Sequence, residues 1–482
     1  MSGQTLAVLL AVTALNACTT ATPEQQIVND AAAALGGRDR VLAVRTLIIE
    51  GAGTNGNLLQ DMSPEASGQS FLVSDYRRSI DIAGGRARTQ QTRTPQFVYF
   101  QGMAPQRQVF GIDGDVGYNV AANGTATRVP NSTARDRRAD LLQHPLTIVR
   151  AALDPAATLT HARTAGAERL VDVTVAGRST CTLAIDAATR LPARVVSMTD
   201  NANLGDVAVE TTFADYQDVA GLKLPTRLTM KTDKYQTAAL QLTHQQVNAD
   251  TGNLAAPAAA ASAAPIEGAP TPVVTVEEIA KGIWLLAGQS HNSVLVEFDD
   301  HLTLIEAPLS EARTLAVIAA ARNLRPGKPL KQLVSTHFHS DHTGGLRAAV
   351  AEGLTVITHE GNAAFYADVI KRPHTLAPDA LARNPKSLQM ETVGEERELA
   401  DATMTVELYH VAGNPHAGTL LMAYFPRQRV LVEADAFSPG FATQPYAANL
   451  IENIAKRRLK VDRVVPLHGA VTPFSEVVRA AR

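Results

Sequence analysis

Two patterns of apolar residues divide the chain. From about residue 27 to 252, apolar and polar positions alternate at period two. Such runs lie at 44–50, 97–101, 109–112, 170–175, 181–185, 193–198, 207–213, 227–231 and 238–244. Gly, Asp and Asn punctuate them, and alternation with such turns predicts strands. A short helix is expected over 28–35, closed by Gly36-Gly37, and a second over 140–152, kinked or broken at Pro145. From about 271 onwards the pattern changes to short apolar runs alternating with helix-period segments. It predicts strands at 282–287, 293–298, 302–306, 333–336, 355–358, 404–411, 419–425, 430–434 and 461–466. Helices are expected at 311–323, 346–352, 362–371, 447–458 and 475–481. Between the halves, 254–270 reads LAAPAAAASAAPIEGAP. Prolines bracket the alanines there, so a semi-rigid linker is expected rather than a long helix.

With 482 residues and 45% hydrophobic content, the chain is long enough for two or three cores. Its net charge of −3 and lack of a basic stripe argue against a nucleic-acid partner. The opening residues read as an export signal. Residues 6–15 form an apolar run of about ten, within the ~7–15 of a signal core and short of the ~20 needed to span a bilayer. The run ends in Leu15-Asn16-Ala17-Cys18, which resembles a bacterial lipobox. That resemblance implies a signal peptide over 1–18, acylation of Cys18, and a lipid-anchored, periplasm-facing chain in the bacterial cell envelope. A plain signal peptide, giving a secreted or soluble periplasmic form, is the alternative. The other cysteine is Cys181, so a lipid-bearing Cys18 leaves no intrachain disulfide.

Histidines concentrate in the second half: of the 13, all but His144, His161 and His244 follow residue 270. The strongest signal is Thr336-His337-Phe338-His339-Ser340-Asp341-His342-Thr343-Gly344-Gly345, between an expected strand and helix. In an extended segment His337 and His339 project to one side. Asp341 and His342 follow where the chain turns, so they can aim at a second point. Imidazole and carboxylate donors without thiolate suit Zn²⁺, Fe²⁺ or Mn²⁺. His416, Asp435 and His468 stand near the ends of later expected strands. His291, His359 and His410 also lie near strand ends and read as supporting or structural residues. His301 and His374 read as exposed loop residues, and Trp284 as core.

The H-x-H-x-D-H pattern, with the later residues in order, resembles the metallo-β-lactamase superfamily over about 271–482. The resemblance implies an α+β chain whose C-terminal domain is an αββα sandwich. It implies two Zn²⁺ per chain, with Fe or Mn as alternatives. His337, His339 and His416 would hold one ion, Asp341, His342 and His468 the other, and Asp435 would bridge them. Asp341 would also steer the nucleophile as the catalytic residue. Glu306 stands where many members carry an aspartate that buttresses the site. It either orients a ligand or faces solvent at a strand end. The N-terminal half, 24–253, resembles the periplasmic lipoprotein-carrier family, in which a curved antiparallel sheet wraps a helix around an apolar face.

These resemblances imply a hydrolase in which two ions about 3.5–4 Å apart acidify a bridging water at neutral pH. Its hydroxide would cleave an ester, thioester, lactone or amide of a small-molecule or acyl substrate. A bridging aspartate is usual in glyoxalase II-like members and argues against β-lactam breakdown as the main activity. Other readings are an iron-dependent oxidoreductase of the same fold, similar to sulfur dioxygenases, β-lactamase activity, and a lipid-binding envelope lipoprotein with an accessory hydrolase domain.

Overall fold

The computed structural model describes residues 21–175, 180–268 and 271–482. The expected signal segment and Cys18 lie outside the described residues. Among the described residues no helix is long and apolar enough to cross a membrane.

The alternating N-terminal runs form one 13-stranded antiparallel sheet. It consists of two meanders joined where the first strand, Thr46–Gly56, pairs with the last, Tyr235–Val247. Inward residues such as Leu47, Ile49, Ile112, Val171, Leu183 and Leu240 share one core with Ile27 and Leu35 near the first helix. Leu146 and Val149 of the helix Pro145–Ala152 join them. Strands far apart in the sheet order meet the same helices, so the sheet curves around them.

Several expectations need correction. The expected helix over 140–152 is two helices, Asn131–Asp140 and Pro145–Ala152. Pro145 opens the second, where its missing N–H costs nothing. Residues 97–101 form no strand. Their aromatic side chains pack together instead, Phe97 lying 5.3 Å from the ring of Phe71. The strands Ser70–Asp81 and Arg86–Pro95 were not foreseen. Arg, Gln and Thr thin their apolar alternation, and ion pairs such as Arg78–Asp140 (2.5 Å) satisfy those polar groups. The linker contains one turn of helix, Ala258–Ser262, with Ala260 buried. Arg128 donates to the Ala263 carbonyl at 2.8 Å, so the segment lies along the N-terminal sheet.

The C-terminal domain packs a seven-stranded and a six-stranded sheet face to face. Its central strands are mostly apolar because both faces are covered, whereas the edge strands Thr275–Ala280, Gln389–Val393 and Glu396–Ala400 are polar, largely exposed and were not expected. In Ser293–Glu297, Val294 and Val296 face the core between the sheets, while Leu295 faces the helices outside. Ile305, Val334 and Ile357 repeat the inner pattern, and Leu304, Leu333 and Val356 the outer one. Helices Glu311–Leu324 and Leu346–Ala351 cover one sheet. Ala447–Lys456 and Phe474–Ala480 cover the other. Trp284 is core, and Arg325 stacks on it at 4.3 Å.

His144 caps the helix Pro145–Ala152: its Nδ1 accepts from the Leu146 amide at 3.3 Å. Burial, aided by Arg78, depresses its pKa to about 3. Unfolded, it takes a proton near pH ~6.5. Between those values the unfolded state binds more protons, so stability rises with pH across that window and is lost on acidification. His144→Asn keeps an acceptor at the cap and is expected to flatten this dependence. Urea melts between pH 5 and 7 check it; equal slopes for both proteins would contradict the assignment.

Candidate metal centre

Each metal-capable side chain stands just past the end of a strand. Leu330–Val334 leads into His337 and His339, and the turn Ser340–Thr343 carries Asp341 and His342. Val430–Glu433 leads to Asp435, and Arg463–Pro466 to His468. His416 lies in the loop between Thr405–His410 and Leu421–Phe425. Parallel pairing of Leu302–Ile305 with Leu330–Val334, and of Val430–Glu433 with Arg463–Pro466, aligns these ends on one rim.

All seven expected ligands converge. His337, His339, His416 and Asp435 form one group, and Asp341, His342, His468 and His291 another; within each, the donor atoms lie within 4.8 Å of one another. Asp435 stands between the groups. Its Oδ2 is 2.8 Å from His342 Nε2, 3.0 Å from His416 Nε2 and 3.3 Å from His337 Nε2. Its Oδ1 is 2.9 Å from His468 Nε2.

The donor set fits a pair of divalent cations. His337 Nε2, His339 Nδ1 and His416 Nε2 are buried with no hydrogen-bond partner, although two of them lie near Asp435. Buried nitrogens left unpaired are costly, and three of them aimed at one point is what a ligand set requires. Burial pushes the His337 imidazole down to about 3 and holds His339 well below its usual range, so both offer lone pairs. His342 differs. Burial opposes its charge, but Asp435, Asp341 and Glu306 outweigh that and raise its pKa well above normal.

Glu306 is fully buried and faces no solvent. Its Oε2 lies 2.6 Å from His342 Nδ1, and its Oε1 accepts from the Thr336 amide at 2.7 Å. It therefore turns Nε2 of His342 toward the site and ties two strand ends together. Its φ of +74° and that of Asp435, +59°, are left-handed, a local strain of roughly 1–3 kcal/mol each. The Glu433 carboxylate holds the second bend by accepting from Ala436 and Phe437 at 2.9 and 3.0 Å.

Some neighbours were foreseen in part or not at all. His291, expected as a supporting residue near a strand end, has its Nε2 3.1 Å from Asp341 Oδ2 and its ring 3.9 Å from that of His468. Burial lowers its pKa to about 4, so it is a neutral donor or ligand. Its place near a strand end was the available signal. Gln60, from the N-terminal half, donates to Asp341 Oδ1 at 2.7 Å; a polar loop residue so far away in sequence carried no signal. His359 and His410 pair with each other, rings 4.4 Å apart. His374 is buried, not exposed, because the turn at Gly205 from the N-terminal sheet packs against it.

Residues 286–473 match the model of a family described as the metallo-beta-lactamase superfamily. A linear primary-alkylsulfatase from a Pseudomonas species is 28% identical over 106 residues, or 22% of this chain. That stretch is only 15% of the sulfatase's own length. Among solved structures, the DIM-1 metallo-beta-lactamase is 19% identical and the match covers 44% of this chain and 96% of that one, with a TM-score of 0.34. For a metallo-beta-lactamase from Pontibacter korlensis the values are 20%, 43%, 97% and 0.35.

Glu306→Gln keeps the shape but weakens the grip on His342. We expect metal affinity to fall roughly 10–100-fold, measured by competition with a chromophoric chelator. An unchanged affinity would contradict the role given to Glu306.

Proposed function

Since the C-terminal domain belongs to the metallo-β-lactamase superfamily, we propose that this chain hydrolyses an ester, thioester, lactone or amide in a small-molecule or acyl substrate, using two zinc ions. The observation that carries the reading is the convergence of seven donors, three of them buried nitrogens without a partner. Divalent cations, when bound, polarise the scissile group and make a water acidic enough to ionise near neutral pH.

The chain's own residues supply the rest. Asp435 sets the spacing of the two donor groups, and Glu306 fixes the face that His342 presents. Asp341 has Oδ1 engaged by Gln60 and Oδ2 3.1 Å from His291 Nε2, so its carboxylate is held in a fixed orientation from which it would accept a hydrogen bond from the attacking water and align it. An aromatic wall flanks His416. The Tyr446 ring is 5.3 Å from it, and Tyr446 donates to the Val98 carbonyl at 2.7 Å. The wall continues outward through Phe100 and Phe441, 5.4 Å apart. Both domains build it, and it suits an apolar acyl or alkyl group. A sulfate ester is a second reading, favoured by the partial likeness to the linear primary-alkylsulfatase.

A substrate panel tests these readings: nitrophenyl esters of increasing chain length, a lactone, an acyl-thioester, nitrocefin and an alkyl sulfate, on wild type beside Asp341→Ala. We expect kcat/KM to rise with acyl chain length, and Asp341→Ala to lose roughly 10²–10³-fold. Equal turnover by the two proteins would sink the mechanism, and turnover of the alkyl sulfate alone would favour the second reading.

We further propose that the chain is anchored in the cell envelope through an acylated Cys18, a reading supported by the apolar run ending in Leu15-Asn16-Ala17-Cys18. Cys18→Ser is then expected to move the chain from the membrane pellet to the soluble fraction. The same partition for both would refute the anchor.

A further inference from the structure

The loop joining the strands Thr46–Gly56 and Ser70–Asp81 leaves the N-terminal sheet and lies against the metal-ligand loops. Its polar groups land on ligands or on their neighbours. Gln60 Nε2 donates to Asp341 Oδ1 at 2.7 Å and approaches Ser340 Oγ at 3.3 Å. The Asp61 carbonyl lies 2.8 Å from His339 Nε2. The Met62 carbonyl accepts from the Gly418 amide at 2.7 Å, two residues beyond His416. Gln69 Nε2 reaches the carbonyls of Pro415 and His416 at 3.3 and 3.4 Å.

The loop is itself held in place. The Asp61 carboxylate accepts from the Met62 amide at 2.6 Å and the Gln69 amide at 2.8 Å, closing the loop on itself. Leu59 is buried in the same apolar cluster as Phe338, the residue between His337 and His339. Leu204 and Val207 of the N-terminal sheet belong to that cluster as well. The contact between domains is therefore continuous core and not a loose surface touch.

We propose that the N-terminal domain is a working part of the metal centre, with Gln60 as a positioning residue for Asp341 and the Asp61 carbonyl fixing the tautomer of His339. The inference rests on the metal-dependent reading given above. Asp341 is the least buried of the seven ligands, its side chain 33% exposed. A carboxylate in that position can turn either oxygen inward. Gln60 occupies Oδ1, which leaves Oδ2 on the side of His291 and His342, at 3.1 and 3.9 Å. The Asp61 carbonyl can only accept a hydrogen bond, so His339 carries its hydrogen on Nε2 and presents Nδ1 with a free lone pair, the nitrogen found unpartnered. Groups that orient ligands in this way typically change metal affinity or activity by about 10–100-fold.

The test uses the full chain as wild type, Gln60→Ala, Gln60→Glu and Glu65→Ala. Glu65 lies on the same loop but points to Lys234 on the exterior, so it controls for damage to the loop. Zinc per chain is measured after dialysis against graded chelator, together with the visible absorption spectrum of the cobalt-loaded protein, kcat and KM. We expect Gln60→Ala to lose one equivalent of metal at roughly 10–100-fold lower chelator strength than wild type. Its cobalt spectrum should shift, and kcat should fall more than KM rises. Gln60→Glu, which sets one carboxylate against another, should lose metal more readily still. Metal retention and a cobalt spectrum in Gln60→Ala equal to wild type would overturn the proposal while leaving the hydrolase reading intact. Equal losses in Glu65→Ala and Gln60→Ala would overturn the assignment to Gln60. A wild-type chain that takes up no divalent cation would end the hydrolase reading and this one with it.

Discussion

Asp435 is a carboxylate placed within 3.3 Å of the Nε2 atoms of four histidines carried by three different loops. A buried carboxylate is costly unless positive charge or hydrogen bonds answer it. Around Asp435 the answer would come from the cations that these imidazoles can hold, and three separate loops have to deliver the imidazoles. The whole C-terminal sandwich meets that demand. Two sheets present their strand ends on a common rim, and the two buried glutamates, Glu306 and Glu433, pin the bends where the chain leaves the sheets. The left-handed backbone at Glu306 and Asp435 is tolerated because these hydrogen bonds hold it.

The same demand explains why the two halves of the molecule are closely joined. A ligand set built on loops is only as exact as the contacts that brace those loops. On one side the sheets of the C-terminal domain supply the bracing. On the other it comes from the N-terminal sheet, through apolar residues such as Leu59 and Leu204 and through polar contacts. Arg372 pairs with Asp233 at 2.8 Å, and Thr375 donates to Asp206 at 2.6 Å. The buried His374 marks how completely this seam is covered. The aromatic wall beside His416 is likewise shared, since Thr443 donates to the Phe100 carbonyl at 2.7 Å across the seam.

The C-terminal half was the more legible in sequence. Its central strands are buried on both faces, so they stand out as apolar runs, and its longer helices follow at the expected places; the exposed edge strands Thr275–Ala280, Gln389–Val393 and Glu396–Ala400 gave no such signal. The converging donors were legible too, because six residues of contiguous sequence carry four of them. The N-terminal half was harder to read. Strands such as Ser70–Asp81 and Arg86–Pro95 expose one face and carry many charged or amide side chains, so their alternation is weak. The run 97–101 has strand-like residues but packs its rings on Phe71 and across the seam, a contact that no local pattern announces.

The sequence alone determined the chemistry of the donors and the order of the elements that carry them, because both are properties of local spacing. Hydrophobic period and ligand spacing act over a few residues and survive without the fold. Only the tertiary structure decided the role of Glu306, the place of His291 beside Asp341, the burial of His374, and the reach of Gln60 and Asp61 into the site. Each of those depends on groups far apart in the chain, Gln60 and Asp341 being 281 residues distant. Such contacts come from the packing of whole sheets against one another, and no short stretch of sequence encodes that.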